Sequence, residues 1–115
     1  MNKCYVLCRQ DLGELVSPMY PAVQGGHAVA QLYEDSKTGK WKNEYLIYLE
    51  VEDEDALKKW MYLLDSRGVS YSHFLEPDIE YQLTAIATVG NDKLFKDLEL
   101  LGTADAKEIV NLETI

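Results

Sequence analysis

Few residues in this 115-residue chain combine reactive side chains with a spacing that would bring them together. Arg9 and Asp11 close an apolar run near the start, and Tyr20, Gln24 and His27 stand at intervals of four and three in the stretch that follows. Residues three and four apart share one side of a helix. Open α/β sheets place ligand sites beyond the carboxyl ends of their strands. An arginine and a carboxylate ending the first strand, beside the start of a helix, therefore describe a mouth lined by Arg9, Asp11, Tyr20, Gln24 and His27. Asp78, in a turn beside Pro77, adds a second carboxylate, although aspartate also serves turns for its own backbone bonding. His27 has its own plain reading as a packing residue of an amphipathic helix. His73 carries no motif and has no assigned role.

Other chemistries lack their sequence signatures. There is no phosphate-binding glycine loop, no serine between glycines at a nucleophile elbow, no Cys-x-x-Cys and no His-Glu-x-x-His. The acidic run Glu50-Val-Glu-Asp-Glu-Asp55 could be taken for a metal site. It reads better as a helix start, with Asp53 as N-cap and Glu54 and Asp55 in the first turn, where the helix dipole favours negative charge. No metal and no cofactor are expected.

The elements that must position these residues are legible from apolar patterning. Residues 3–9 are apolar on both faces, as in a buried central strand. Pro21 suits the first turn of a helix running from Ala22 to about Tyr33. The Gly25-Gly26 pair inside it disfavours helix by about 1 kcal/mol per glycine, so something approaches the backbone there: a strand packed close, or a ligand. Residues 35–43 form a polar loop with Lys37, Lys40 and Lys42, and residues 45–50 a second strand. A second helix carries Leu57, Trp60, Met61 and Leu64 on one face and ends with Gly68 as a left-handed cap. Residues 69–74 and 83–89 read as third and fourth strands, antiparallel across a short connection. Residues 94–101 supply Leu94, Phe95, Leu98 and Leu101 for docking. The order β-α-β-α-β-β predicts a small three-layer α/β domain, with a mixed four-stranded sheet and helices on both faces. Residues 1–102 form this single domain, and 103–115 a C-terminal tail that frays or docks weakly.

Composition narrows the function classes. Eleven basic residues against 20 acidic ones leave a net charge of -9, which opposes non-specific attraction to phosphate backbones and anionic lipid. No apolar run approaches the ~20 residues of a membrane span, and the opening apolar stretch is too short for a signal-peptide core. Cys4 and Cys8, four apart on one strand, would be about 13 Å apart, beyond disulfide reach. Two reduced, buried thiols fit a cytoplasmic protein.

Cys4-Tyr-Val-Leu-Cys-Arg9-Gln-Asp11-Leu12, followed by a short loop and then the run from Tyr20 to Tyr33 containing Gln24-Gly-Gly-His27-Ala28, resembles the type 2 peptidyl-tRNA hydrolases of archaea and eukaryotes. The resemblance runs from about Lys3 to Gly102. It implies that family's α/β fold and hydrolysis of the ester joining a peptide, or an aminoacyl group, to the 3′ end of tRNA. It assigns catalytic roles to four residues. Asp78 orients or activates water, the Thr84 hydroxyl and Gln24 amide hold the carbonyl, and His27 organises the helix start or bonds within the site. It gives Arg9, Asp11 and Tyr20 to substrate binding. Peptidyl-tRNA is the implied partner, and a homodimer the implied assembly. Tyr20 stands where the family has a lysine, and residues 79–82 are fewer than the family has there. Those departures define the alternative: a catalytically inactive relative that binds a small ligand or a protein.

Overall fold

The computed structural model describes residues 2–102; the tail expected over 103–115 lies outside the described residues. Strand β1 (Lys3–Arg9) is followed by a single-turn helix α1 (Leu12–Leu15), helix α2 (Tyr20–Glu34), strand β2 (Tyr45–Val51), helix α3 (Glu54–Ser66), strand β3 (Ser72–Glu76) and strand β4 (Gln82–Val89). The four strands form one mixed sheet in the order β2-β1-β4-β3. β1 runs parallel to β2, with Lys3 opposite Tyr45, and antiparallel to β4, with Cys4 opposite Val89. β3 pairs antiparallel with β4, with a register shift between Phe74 and Leu75.

The two-sided apolar character of β1 follows from its central place. Alternate side chains point to opposite faces, and each face has its own core. Cys4, Val6 and Cys8 pack with Ala28 and Leu32 of α2 and with Ala85 and Ala87 of β4. Tyr5 and Leu7 pack with Leu57 and Leu64 of α3 and with Ile86 of β4. The molecule is thus an α/β domain with helices on both faces of the sheet. Both cysteines are free and buried. Burial pushes the Cys4 thiol up to about 11 and the Cys8 thiol up to about 12, because a thiolate is poorly solvated there.

Several local expectations take definite form. A Cβ on Gly25 would stand 2.7 Å from the Tyr48 ring and 2.9 Å from the Cys8 sulfur, so here a strand packs onto the helix and leaves no space for a ligand. Asp53 caps α3 by accepting the Ala56 N–H at 2.9 Å, and Glu54 accepts the Leu83 N–H at 2.8 Å. The acidic run is therefore a helix start tied to β4. Gly68 adopts a left-handed φ of +66° after α3, as a C-terminal cap requires. Phe95 docks against Tyr5 and Trp60, with ring centroids at 5.0 and 5.3 Å.

Three features depart from expectation by more than one residue. The loop after β1 contains the extra turn α1, which buries Leu12. α2 starts at Tyr20, with Pro21 in its first turn. β3 covers 72–76 where alternation suggested 69–74, because Val69 still packs on the α3 core. The outer edge of β2 is closed by the chain itself: Glu50 N–H donates to the Glu99 carbonyl at 2.9 Å, and Leu101 N–H to the Tyr48 carbonyl at 3.0 Å. No helix among the described residues is long and apolar enough to cross a membrane.

Candidate functional site

Two buried polar clusters lie where strands end. The first is built on Arg9, the last residue of β1, which is only 4% exposed. Its Nε and Nη2 donate to the two carboxylate oxygens of Asp11 at 3.0 and 2.8 Å. Its Nη1 donates to Gln82 Oε1 at 2.9 Å and to the Leu83 carbonyl at 3.1 Å. A guanidinium offers five N–H groups, and these four bonds leave little for a substrate. The pair clamps the end of β1 to the beginning of β4. Arg9 and Asp11 saturate one another instead of lining a mouth with Tyr20 and Gln24.

The second cluster centres on Glu76, at the carboxyl end of β3 and 8% exposed. Its Oε1 accepts from Gln24 Nε2 at 3.2 Å and lies 3.4 Å from the Tyr20 hydroxyl, which donates to it. Gln24 Oε1 in turn accepts from the Thr84 hydroxyl at 2.8 Å, and the Phe74 carbonyl, 3.3 Å from that hydroxyl, is a longer alternative for its one proton. Gln24 and Thr84 are essentially fully buried. They form a relay that holds the Glu76 carboxylate from below, and Tyr20 meets it from the half-exposed side. The amide orientation of Gln24 follows from this network, since one end must accept from Thr84 and the other donate to Glu76.

Electrostatics ties the outer carboxylate to the same place. Loss of hydration pushes the Tyr20 phenol above its usual value, and the Glu76 and Asp78 carboxylates push it further. Asp78 sits exposed on the turn Pro77–Ile79 that follows β3. His27, one turn beyond Gln24 on α2, is exposed and lies flat on Phe74, with ring centroids 4.4 Å apart and planes 8° from parallel. The fold thus brings Tyr20 and Gln24 onto one carboxylate, with Thr84 behind Gln24, sets Asp78 within reach of Tyr20 electrostatically, and stacks His27 alongside. It keeps Arg9 and Asp11 in a separate clamp. The cleft beyond the end of β1, about 300 Å³, is lined by Gln10, Gly13, Glu14, Pro18, Pro21 and Glu50 among others, and by none of the candidate residues.

Sequence reasoning missed Glu76, which falls in the short connection expected between the third and fourth strands. A carboxylate closing a strand, in a sheet whose sites lie beyond strand ends, was the available signal.

No family model matches the chain, and no curated protein does. Among solved structures it is similar to Atu0240 from Agrobacterium tumefaciens strain C58, described as a protein of unknown function. The two are 18% identical with a TM-score of 0.51, over 86% of this chain and 96% of that one. At this identity the likeness speaks for the fold alone.

Proposed function

We propose that the chain is a divergent relative of the type 2 peptidyl-tRNA hydrolases that cleaves the ester between a peptidyl or aminoacyl group and tRNA, with Glu76 as general base. The observation that carries this reading is the meeting of Tyr20 and Gln24 of α2 on the buried Glu76 carboxylate of β3, with Gln24 held in turn by the Thr84 hydroxyl of β4. An ester needs modest activation, so a positioned water and a base suffice without a strong nucleophile. Glu76 takes a proton from water as its oxygen attacks the carbonyl carbon. Tyr20 then turns its hydroxyl to the oxyanion, and collapse expels the ribose 3′ oxygen, which leaves with the proton that Glu76 took from water. Gln24 and Thr84 act as positioning residues. Asp78 holds the water from the solvent side, and His27 steadies the α2 wall.

The test is release of the peptide from a purified peptidyl-tRNA, measured against buffer. Wild-type cleavage that falls at least about hundredfold in Glu76→Gln supports the reading. Absence of cleavage at high enzyme concentration sinks it.

A second reading has its own support. Among the described residues no cation bonds to this cluster: Tyr20 replaces the family lysine, Arg9 is spent on Asp11, Gln82 and Leu83, and the chain carries -9. That favours a non-catalytic module binding a small ligand or a protein through the same cluster. Binding of tRNA that is undetectable at low salt, with no turnover, selects this alternative.

A further inference from the structure

The sheet has two edges with opposite fates. The β2 edge is closed by backbone bonds from Glu99 and Leu101. The β3 edge is open: among the described residues no backbone group outside β4 bonds to residues 72–75. A groove of about 430 Å³ follows this edge, lined by every residue from 71 to 75 and by Gln31, Asp35 and Lys37. Alternate side chains of a strand point to opposite faces, so five consecutive residues line one groove through their main chain.

Four polar side chains of the groove wall are already engaged, while His73 and Leu75 stand exposed along it. The Asp35 carboxylate accepts from the Ser72 hydroxyl at 2.6 Å and from Gln31 Nε2 at 2.8 Å, and Lys37 Nζ donates to the Tyr71 carbonyl at 2.8 Å. What this groove offers a ligand is therefore unpaired main chain beside a helix, the arrangement that receives an extended peptide as an added strand. Charge distinguishes the candidate occupants. A second copy would bring another -9 to the edge, whereas a short neutral peptide brings none. The register shift at Phe74/Leu75 also interrupts the edge, a device that discourages open-ended pairing between copies. The seam between α2 and β3 continues from this groove, past His27 on Phe74, to Tyr20 and Gln24 on Glu76.

We infer that the β3 edge, together with the C-terminal half of α2, binds an extended peptide of three to five residues by backbone pairing. The direction of that peptide rests on the ester reading above. With the reacting carbonyl at Glu76, the preceding residues run back toward Ser72, so the peptide lies parallel to β3 and a longer peptide pairs with more of the edge. Recognition through main chain makes the preference one of peptide length, with little dependence on side-chain sequence.

The probe is an acetylated, amidated alanine-valine tetrapeptide added to the isotope-labelled full chain. Saturable amide shifts centred on residues 72–76 are expected, with exchange of the edge-facing amides there, those not bonded to β4, slowed at least about tenfold. N-methylation of one alternate set of peptide amides should weaken binding about tenfold, and of the other set hardly at all, since only one set faces the edge. Three results overturn the inference: no saturable shift, equal sensitivity to both methylated sets, or these amides already protected before peptide is added, by a second copy or by another part of the chain. The ester reading fails separately. Glu76→Gln should bind the tetrapeptide as wild type does while losing cleavage. Peptide binding without cleavage in the wild type sinks only the ester reading, and cleavage that ignores peptide length sinks only the peptide groove.

Discussion

Arg9 and Glu76 are both charged, nearly buried, and placed at the carboxyl ends of strands, yet the fold treats them differently. Arg9 has four hydrogen bonds to acceptors from Asp11, Gln82 and Leu83, so its charge is neutralised in place and its geometry serves the joint between β1 and β4. Glu76 receives two neutral donors on one oxygen and has no cation among its hydrogen-bond partners. Both of these bonds fall on Oε1, which leaves the second oxygen for water or a ligand. A buried charge marks a candidate site only after its partners are counted; the saturated one is a clamp.

Exchanging the two insults tests that contrast most severely. Arg9→Met leaves the Asp11 carboxylate and the Leu83 carbonyl without their donor and should cost about 3 kcal/mol of stability, read by urea unfolding, with cleavage per folded molecule unchanged. Glu76→Gln should do the reverse, leaving the unfolding midpoint nearly unmoved while cleavage falls hundredfold or more. If both variants lose stability and neither loses activity specifically, the two clusters are the same kind of structural joint.

Smaller changes sharpen the picture of how Glu76 is held. Gly25→Ala puts a methyl 2.7 Å from the Tyr48 ring and should destabilise by about 1–3 kcal/mol through overpacking. Because Gln24 is its neighbour on α2, cleavage should fall with it, and a thermal melt beside an activity assay separates the two effects. Thr84→Val removes the donor to Gln24 Oε1 and leaves a buried acceptor unmade, about 1–2 kcal/mol. Its cleavage should fall about tenfold while peptide binding at the β3 edge stays intact.

The smallest effect is alkaline. The Tyr20 phenol titrates above its ordinary value, first through lost hydration and then through Glu76 and Asp78. A raised folded-state value adds stability below the unfolded tyrosine range, near pH 10, and that stability is lost as pH rises through the higher folded value. The difference ultraviolet titration of wild type against Tyr20→Phe reads this ionisation directly. In Glu76→Gln it should move back toward the ordinary range; no movement would detach Tyr20 from the cluster.

Much of the framework was legible in the chain because its signals are local. Lys3–Arg9 is apolar on both faces and is a central strand; Asp53 and Gly68 cap α3 where capping chemistry says they should. The brief turn α1 escaped because Leu12–Leu15 is one turn without a periodic repeat. The Gly25-Gly26 pair left two readings open, and only the positions of Tyr48 and Cys8, strand residues from either side in sequence, decided for close packing.

The candidate site divides along the same line. Residue type and spacing marked Arg9, Asp11, Tyr20, Gln24 and His27 as the lining of one mouth, and the family resemblance added Thr84. Which of them meet was decided by tertiary structure. Gln24 and Glu76 are 52 positions apart, and Gln24 and Thr84 are 60. No local propensity encodes such a pairing. It arises because β1 and β4 lie side by side in the sheet, β3 takes the edge, and α2 crosses above them, which sets the glutamate that ends β3 against a buried amide that the Thr84 hydroxyl holds from behind.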